Sequence, residues 1–299
     1  MFPTPKVTIG IPFRNHATYL ELAIKSVFSQ TFTDWELILM DDGSSDNSLA
    51  LARSITDPRV RVYSDGLTKR LNTRLNELVS LARAPYFFRM DADDIMHPER
   101  VERQYAKLIR YNDDTVIGTC AYSIDANSRI IGVRPTVTKV SGFGTASFIH
   151  PSVAAATDWF RRNPYSESFV FHRSQDAELW SRTRSSSTFL NLSEPLLYYR
   201  EVGVFSYENY IGSQLGMIFL LHELYRPQKT RYVAVLLKLL AKIFIVSLLD
   251  LFGCADAITS HRHHHMTDEQ RQYADDGLAR ALSCPLPVYP AVERCGQPR

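Results

Sequence analysis

The sequence is poor in cysteine. It holds four, Cys120, Cys254, Cys284 and Cys295, and none is spaced as C-x-x-C or grouped with histidine at zinc-finger spacing. That pattern argues against a zinc finger and fits a reduced, cytosolic setting. A dominant charge sign is also missing: 34 Lys and Arg stand against 32 Asp and Glu, for a formal net charge of +2. No long basic tract with interleaved aromatics occurs, so nucleic acid is not an expected partner. The opening stretch, MFPTPKVTIGIPFRN, has no charged segment followed by a long apolar core, and no secretory signal is expected. No internal repeat is visible. A hydrophobic fraction of 45% and a charged fraction of 22% are ordinary for a folded globular protein. The length suits one large α/β domain with an appendage, or two domains.

What is present is an alternation of short apolar runs and helical patterns. VTIGIPF (7 to 13), WELILM (35 to 40), VRVYS (60 to 64) and PYFFRM (85 to 90) predict strands, the second buried on both faces. Between them, residues 16 to 30, SLALARSI and residues 71 to 83 predict helices. Strand followed by helix, repeated, implies βαβ crossovers and a mainly parallel sheet. Further on, 98 to 111 predicts a helix entered at Pro98, 115 to 124 a strand, 174 to 184 a helix and 194 to 202 a strand. From about 206 the chain is helical and strongly apolar.

Three polar segments fall at strand ends: Pro12 to Asn15, Asp41 to Ser45, and Asp91 to Asp94. Open sheets of this kind bind ligands beyond the carboxyl ends of their strands. The third segment, RMDADDIMHPER, gathers carboxylates beside an apolar run, where they repel one another. A hard divalent cation such as Mn²⁺ or Mg²⁺ takes oxygen ligands and commonly shares them between one or two carboxylates and a substrate phosphate. Extended backbone turns Asp91 and Asp93 to one side. The alternative is a solvated loop in which Asp94 caps the helix starting near Pro98.

VTIGIPFRN, ELILMDDGSSDNS and GLTKRLNTRLNELVSLARAPYFFRMDADD with HPERVERQ together resemble the inverting family 2 glycosyltransferases of the GT-A fold. The resemblance covers about residues 6 to 125 in order and spacing, and is nearest to bacterial enzymes that build surface or capsular polysaccharides. It implies a Rossmann-like, mainly parallel sheet with helices on both faces, plus a C-terminal helical region. A catalytic domain would span 1–205, with a nucleotide-binding half at 1–95 and an acceptor half at 96–205, and a helical region would follow at 206–299. The implied activity is transfer of a hexosyl group from a nucleotide sugar, UDP being the expected carrier, to a saccharide or lipid-linked acceptor, with Mn²⁺ or Mg²⁺ as cofactor.

The resemblance also implies roles. Pro12, Arg14, Asn15, Asp41 and Asp42 would hold the nucleotide, although Arg14 departs from the family's aromatic-then-Asn pattern. DDGSSD also reads as a turn with Ser45 or Asp46 capping the next helix. Lys69 to Asn72 matches a segment near the donor; Lys69 or Arg70 either faces the diphosphate or stands at a solvated helix start. Asp93 would ligate the metal, with Asp91 and Ala92 at the donor and Asp91 a second ligand. Asp94 would support them or cap a helix. Gln175-Asp176-Ala177-Glu178-Leu179-Trp180-Ser181-Arg182 matches the family's base-bearing helix, with Gln where Glu is usual. Asp176 would be the catalytic base and Glu178 the alternative. His150, in FIHPSV, is a further candidate for the cleft.

Residues 232 to 252 are long enough to cross a bilayer. Lys238 and Lys242 inside the run would each cost about 2.5–3.5 kcal/mol at mid-membrane. They are four apart and share a helix face, and Arg226, Lys229 and Arg231 precede them. The expected outcomes are peripheral contact of 226–252 with the cytoplasmic membrane face, or packing against protein, a second copy included. HRHHH (261 to 265) receives no role. Two other functions compete. A sugar nucleotidyltransferase would need a Gly-rich basic loop after the first strand, which IPFRNHAT lacks. A non-catalytic nucleotide-sugar-binding scaffold would keep the DxD and not need Asp176.

Overall fold

A computed structural model describes residues 4–135, 148–201, 206–225, 229–252 and 264–288. Arg226, Cys254, Cys295, His261 and His263 lie outside the described residues, as do the side chains of Lys229 and Arg231. The first half of the chain is built from β1 (Val7–Phe13), α1 (Leu20–Phe28), β2 (Trp35–Asp41), α2 (Ser48–Ser54), β3 (Val60–Tyr63), α3 (Leu71–Leu81) and β4 (Tyr86–Arg89). Then come β5 (Ile95–Met96), α4 (Arg100–Leu108), β6 (Thr115–Ile124), β7 (Ile130–Arg134), β8 (Ala154–Ala156), α5 (Thr157–Arg162), α6 (Gln175–Thr183) and β9 (Thr188–Arg200). The described chain closes with α7 (Tyr207–Tyr225), α8 (Lys229–Leu251) and α9 (Asp268–Ser283).

One sheet carries the fold, in the order β3-β2-β1-β4-β8-β6-β9-β5, with β7 on β6. β3, β2, β1 and β4 are parallel, as the βαβ alternation requires. Beyond β4 the sheet is mixed, because β8 runs antiparallel to both β4 and β6. β2 shows why its run is continuously apolar. Leu37 and Leu39 join Ile9, Ile11 and the α1 residues Leu20, Ile24 and Val27 on one face. Ile38 and Met40 join Leu75 and Leu78 of α3 on the other. Helices therefore cover both faces, and the carboxyl ends of β1, β2 and β4 open together at one edge.

Three strand features escape the sequence pattern. β5 and β8 have two and three residues, too few to show a period. Ala154–Ala156 also lacks strand propensity, and its place is set by its neighbours β4 and β6. β9 begins at Thr188 rather than 194, paired with Thr115 of β6, and its register shifts where Pro195 meets Cys120. α4 begins at Arg100 with Glu99 at its N-cap, so Asp94 does not cap it.

α9 returns to this core. Thr267 and Gln270 form a reciprocal capping box at its start. Ala274, Leu278 and Ala281 pack with Ile95, Tyr122, Ile124 and Tyr198. Contact is closest at Gly277, where a Cβ would lie 2.5 Å from both His97 Nε2 and Tyr198 Oη. His97 is buried, stacked against Tyr198 and Tyr273. Burial drives its imidazole down to about 4; Glu99 opposes the shift, while Arg280 and Arg103 add to it.

Gly277→Ala is expected to cost about 1–3 kcal/mol of stability by forcing α9 off His97, measured by urea unfolding. His97 binds its proton more weakly folded than unfolded, so stability should fall as pH drops from 6.5 towards about 4. The loss from this residue is at most about 3 kcal/mol. Unfolding midpoints between pH 7 and pH 5 should flatten in His97→Gln.

Candidate active site

The acidic loop leaves β4 at the sheet edge. Met90 still pairs with β1 through its N–H to the Gly10 carbonyl, and Ala92 is buried in the core. Anchored on both sides of Asp91, the loop directs Asp91 and Asp93 to the cleft. Asp94 turns inward, 1% exposed, and its Oδ1 accepts the Arg200 N–H at 2.9 Å. The Arg200 guanidinium completes the clamp, donating to the carbonyls of Asp93 at 2.7 Å and Asp125 at 2.8 Å. Both Asp93 and Asp94 are thereby held in place from the end of β9.

Oxygens of Asp91, Asp93 and Asp94 all lie within 4.8 Å of one another. Burial raises the Asp93 carboxyl above its usual range and the negative charge of Asp91 adds to this, with His16 and Arg200 opposing. Asp94 is raised well above its usual range by burial, then by Asp93 and Asp91. Asp94 Oδ2 is buried without a hydrogen-bond partner. Hard oxygen donors, crowded carboxylates and an orphaned buried oxygen fit a divalent cation.

The neighbouring strand ends divide their polar residues between architecture and cleft. Asp41 is buried under the turn, its carboxylate accepting the Ser44 N–H at 3.0 Å and the Ser64 hydroxyl at 2.8 Å. Gly43 sits at φ +73°, where a Cβ would also meet Thr68 Oγ1 at 2.8 Å. Asn15, at φ 55°, accepts the Ser45 N–H at 2.8 Å and gives its own N–H to Ser44 Oγ at 3.1 Å. Asp46 accepts from the Ser48 N–H at 2.9 Å, an Asx turn leading into α2. Asp42 faces out, accepting the Lys69 N–H at 2.6 Å and Arg74 Nε at 2.8 Å. The Lys69 ammonium is engaged by Asp65 and Glu77, and buried Asn72 donates to the Ser166 carbonyl at 2.6 Å.

Pro12, Arg14, Asp42, Asp91, Ala92 and Asp93 thus line one cavity of about 430 Å³, with Phe13, His16, Leu71, Arg74 and Arg173. That volume is in the range of small-molecule sites. Asn15, Asp41, Lys69, Asn72 and Asp94 form its supports: their side chains hold the turn, α3 and the acidic loop.

Asp176 stands in the first turn of α6, three residues past Arg173, which lines the cavity. Burial raises its carboxyl, opposed by the Ala177 N–H and the Arg89 charge. Glu178 is spent elsewhere, paired with Arg182 at 2.6 Å. His150 Nε2 meets Tyr165 Oη at 2.9 Å, and burial, reinforced by Arg89, keeps its imidazole well below the usual range. The residue common to these environments is Arg89, 1% exposed, the last of β4. Its Nη2 donates to Asp91 Oδ1 at 2.8 Å, while Nε and Nη1 have no partner. Its charge acts on Asp91's neighbour Asp94 and on His150, Tyr165 and Asp176. The sequence signal for it was the arginine two places before the DxD, and only burial at the sheet end gives that arginine weight.

A carboxyl whose folded pKa is raised is more stable protonated, so the Asp94 charge is destabilising as pH rises past 3.8. Asp94→Asn is expected to stabilise chelator-treated protein at pH 7 by on the order of 1 kcal/mol. The gain should vanish near pH 4 in thermal unfolding.

The family model described as glycosyl transferase family 2 matches residues 8–169. EpsE of Bacillus subtilis (strain 168) is 31% identical over 205 residues, covering 66% of this chain and 73% of EpsE. The Escherichia coli UDP-Glc:alpha-D-GlcNAc-diphosphoundecaprenol beta-1,3-glucosyltransferase WfgD is 26% identical over 182 residues, 58% of this chain and 68% of WfgD. The crystal structure of S. aureus TarS 1-349 in complex with UDP superposes with a TM-score of 0.56 at 16% identity, over 73% of this chain and 65% of that one. At that identity the likeness is one of fold.

Proposed function

Because the chain belongs to glycosyl transferase family 2, we propose that it transfers a sugar from a UDP-sugar to a hydroxyl of a saccharide acceptor, inverting the anomeric centre, in building a bacterial surface polysaccharide. The observation that carries this reading is the acidic triad at the end of β4, paired there with Arg89, whose charge also acts on the partly buried Asp176. The UDP carrier rests on the relative named for UDP-Glc.

In this reading Asp42, with Pro12 and Phe13, receives the nucleotide, and Arg14 and Arg173 are the cations available to its diphosphate. Asp93 and Asp91 would hold Mn²⁺ or Mg²⁺, which when bound supplies Lewis-acid stabilisation of the leaving diphosphate. Asp176 accepts the proton of the acceptor hydroxyl. That oxygen attacks the anomeric carbon from the face opposite the nucleotide as the bond to the diphosphate oxygen breaks. A base with a raised pKa is stronger than an exposed carboxylate, and the Arg89 charge opposes the rise that burial causes.

Calorimetry should detect UDP binding that depends on Mn²⁺ and is lost in Asp93→Asn. Binding indifferent to both would sink the metal site. Asp176→Asn should bind UDP normally while turnover of a UDP-sugar falls by about 10²–10⁴-fold. Unchanged turnover in that variant would remove Asp176 as base.

A further inference from the structure

We infer that the α7–α8 hairpin is a membrane-docking surface that lies on an anionic lipid bilayer and holds the cleft at its boundary, so that, granting the transferase reading, the acceptor is lipid-linked. The segment Tyr232–Leu251 has a mean hydropathy of 2.3, and of its residues Val246 alone is fully buried. Leu237, Phe244 and Leu251 are 60%, 64% and 76% exposed. At 100° per residue they fall on one arc with Val233, Leu240 and Leu248. On the opposite face Val246 is buried, and beside Leu240 at the other edge of the arc Ser247 Oγ meets Tyr207 Oη of α7 at 2.7 Å. Exposed Leu215 and Phe219 add apolar surface on α7.

Charge selects the occupant. Lys238 and Lys242 are exposed; by helical angle Lys238 follows exposed Ile245 at the edge of the apolar surface, and Lys242 lies further round, its ammonium 6.0 Å from the Tyr210 ring of α7. Two ammoniums within the run oppose a bilayer span. Lysine is depleted in the contact area between protein chains. At a lipid surface the same lysines rest their stems on the apolar boundary and reach anionic headgroups.

The hairpin is also tied to the cleft wall. Ser213 Oγ of α7 donates to the Arg173 carbonyl at 3.1 Å. A Cβ at Gly216 would lie 2.1 Å from Ser174 Oγ, so the α7 backbone sits directly on the segment entering α6. Arg173 lines the cavity and Asp176 follows on α6. Docking the hairpin therefore brings the wall that carries the base to the lipid boundary.

The test is co-sedimentation of the full chain with vesicles of phosphatidylcholine alone and of phosphatidylcholine with phosphatidylglycerol, beside UDP calorimetry and circular dichroism. The wild type should sediment with the anionic vesicles. Paired Leu237→Gln and Phe244→Gln should weaken this by about tenfold or more with UDP binding unchanged. Paired Lys238→Glu and Lys242→Glu, at exposed positions, should abolish the preference for anionic lipid, and this pair keeps the test open if the glutamine pair fails to fold. Wild-type protein that ignores both vesicle types overturns the inference. So does a stable dimer that the glutamine pair dissociates, which would assign the face to a second copy. Vesicle binding without UDP binding would sink the donor reading and leave the docking surface standing.

Discussion

Three carboxylates at the end of β4 stand too close together to be ionised without help. Everything around them is arranged to hold that charge. Arg200 reaches from the end of β9 to fix the backbone of Asp93 and the carboxylate of Asp94. Arg89 pairs with Asp91 from beneath. Neither arginine neutralises the cluster, since Asp93 and Asp94 keep raised carboxyls and one buried oxygen of Asp94 is unbonded. A site of crowded carboxylates with an unbonded buried oxygen is prepared for a positive partner.

The same strand edge shows how one motif divides its labour. In DDGSSD the first aspartate is consumed by the turn and the second faces the cleft. Asn15 pins the β1 end to that turn, so Pro12 and Arg14 are positioned by a side chain that itself points away from the cavity. Arg74, buried among Asp42, Asp65 and Glu77, orients Asp42 in turn. These supports restrict motion of the binding wall, and restricted motion lowers the entropy lost when a ligand binds.

Electrostatic reach joins the two halves of the site. Arg89 closes the parallel half of the sheet and its charge acts on His150, Tyr165 and Asp176, all from the mixed half. Its positive charge opposes the rise that burial causes in the Asp94 and Asp176 carboxyls. The acid–base properties of Asp176 on α6 thus depend in part on a residue from the parallel half of the sheet.

Much of this was legible in the chain. Alternation of apolar runs with helical spacing located β1 to β4 and α1 to α3, because β1, β2 and β4 are largely buried, edge strand β3 is half-buried, and their helices turn apolar residues to the sheet. The clustering of polar residues at three strand ends located the cleft. The family match of residues 8–169 agrees with the motifs read there. What the sequence by itself determined was local: periodicity, turn chemistry and the residue types available at each strand end. Tertiary structure alone decided which of them face the cavity. Asp42 and Asp93 do, while Asp41, Asn15, Lys69 and Asn72 hold the frame. Structure also decided that β8 is a strand and that Arg89 is buried beside carboxylates distant in sequence. The physical reason is that side-chain direction, burial and electrostatic coupling depend on neighbours brought together by the sheet, and no local pattern encodes them.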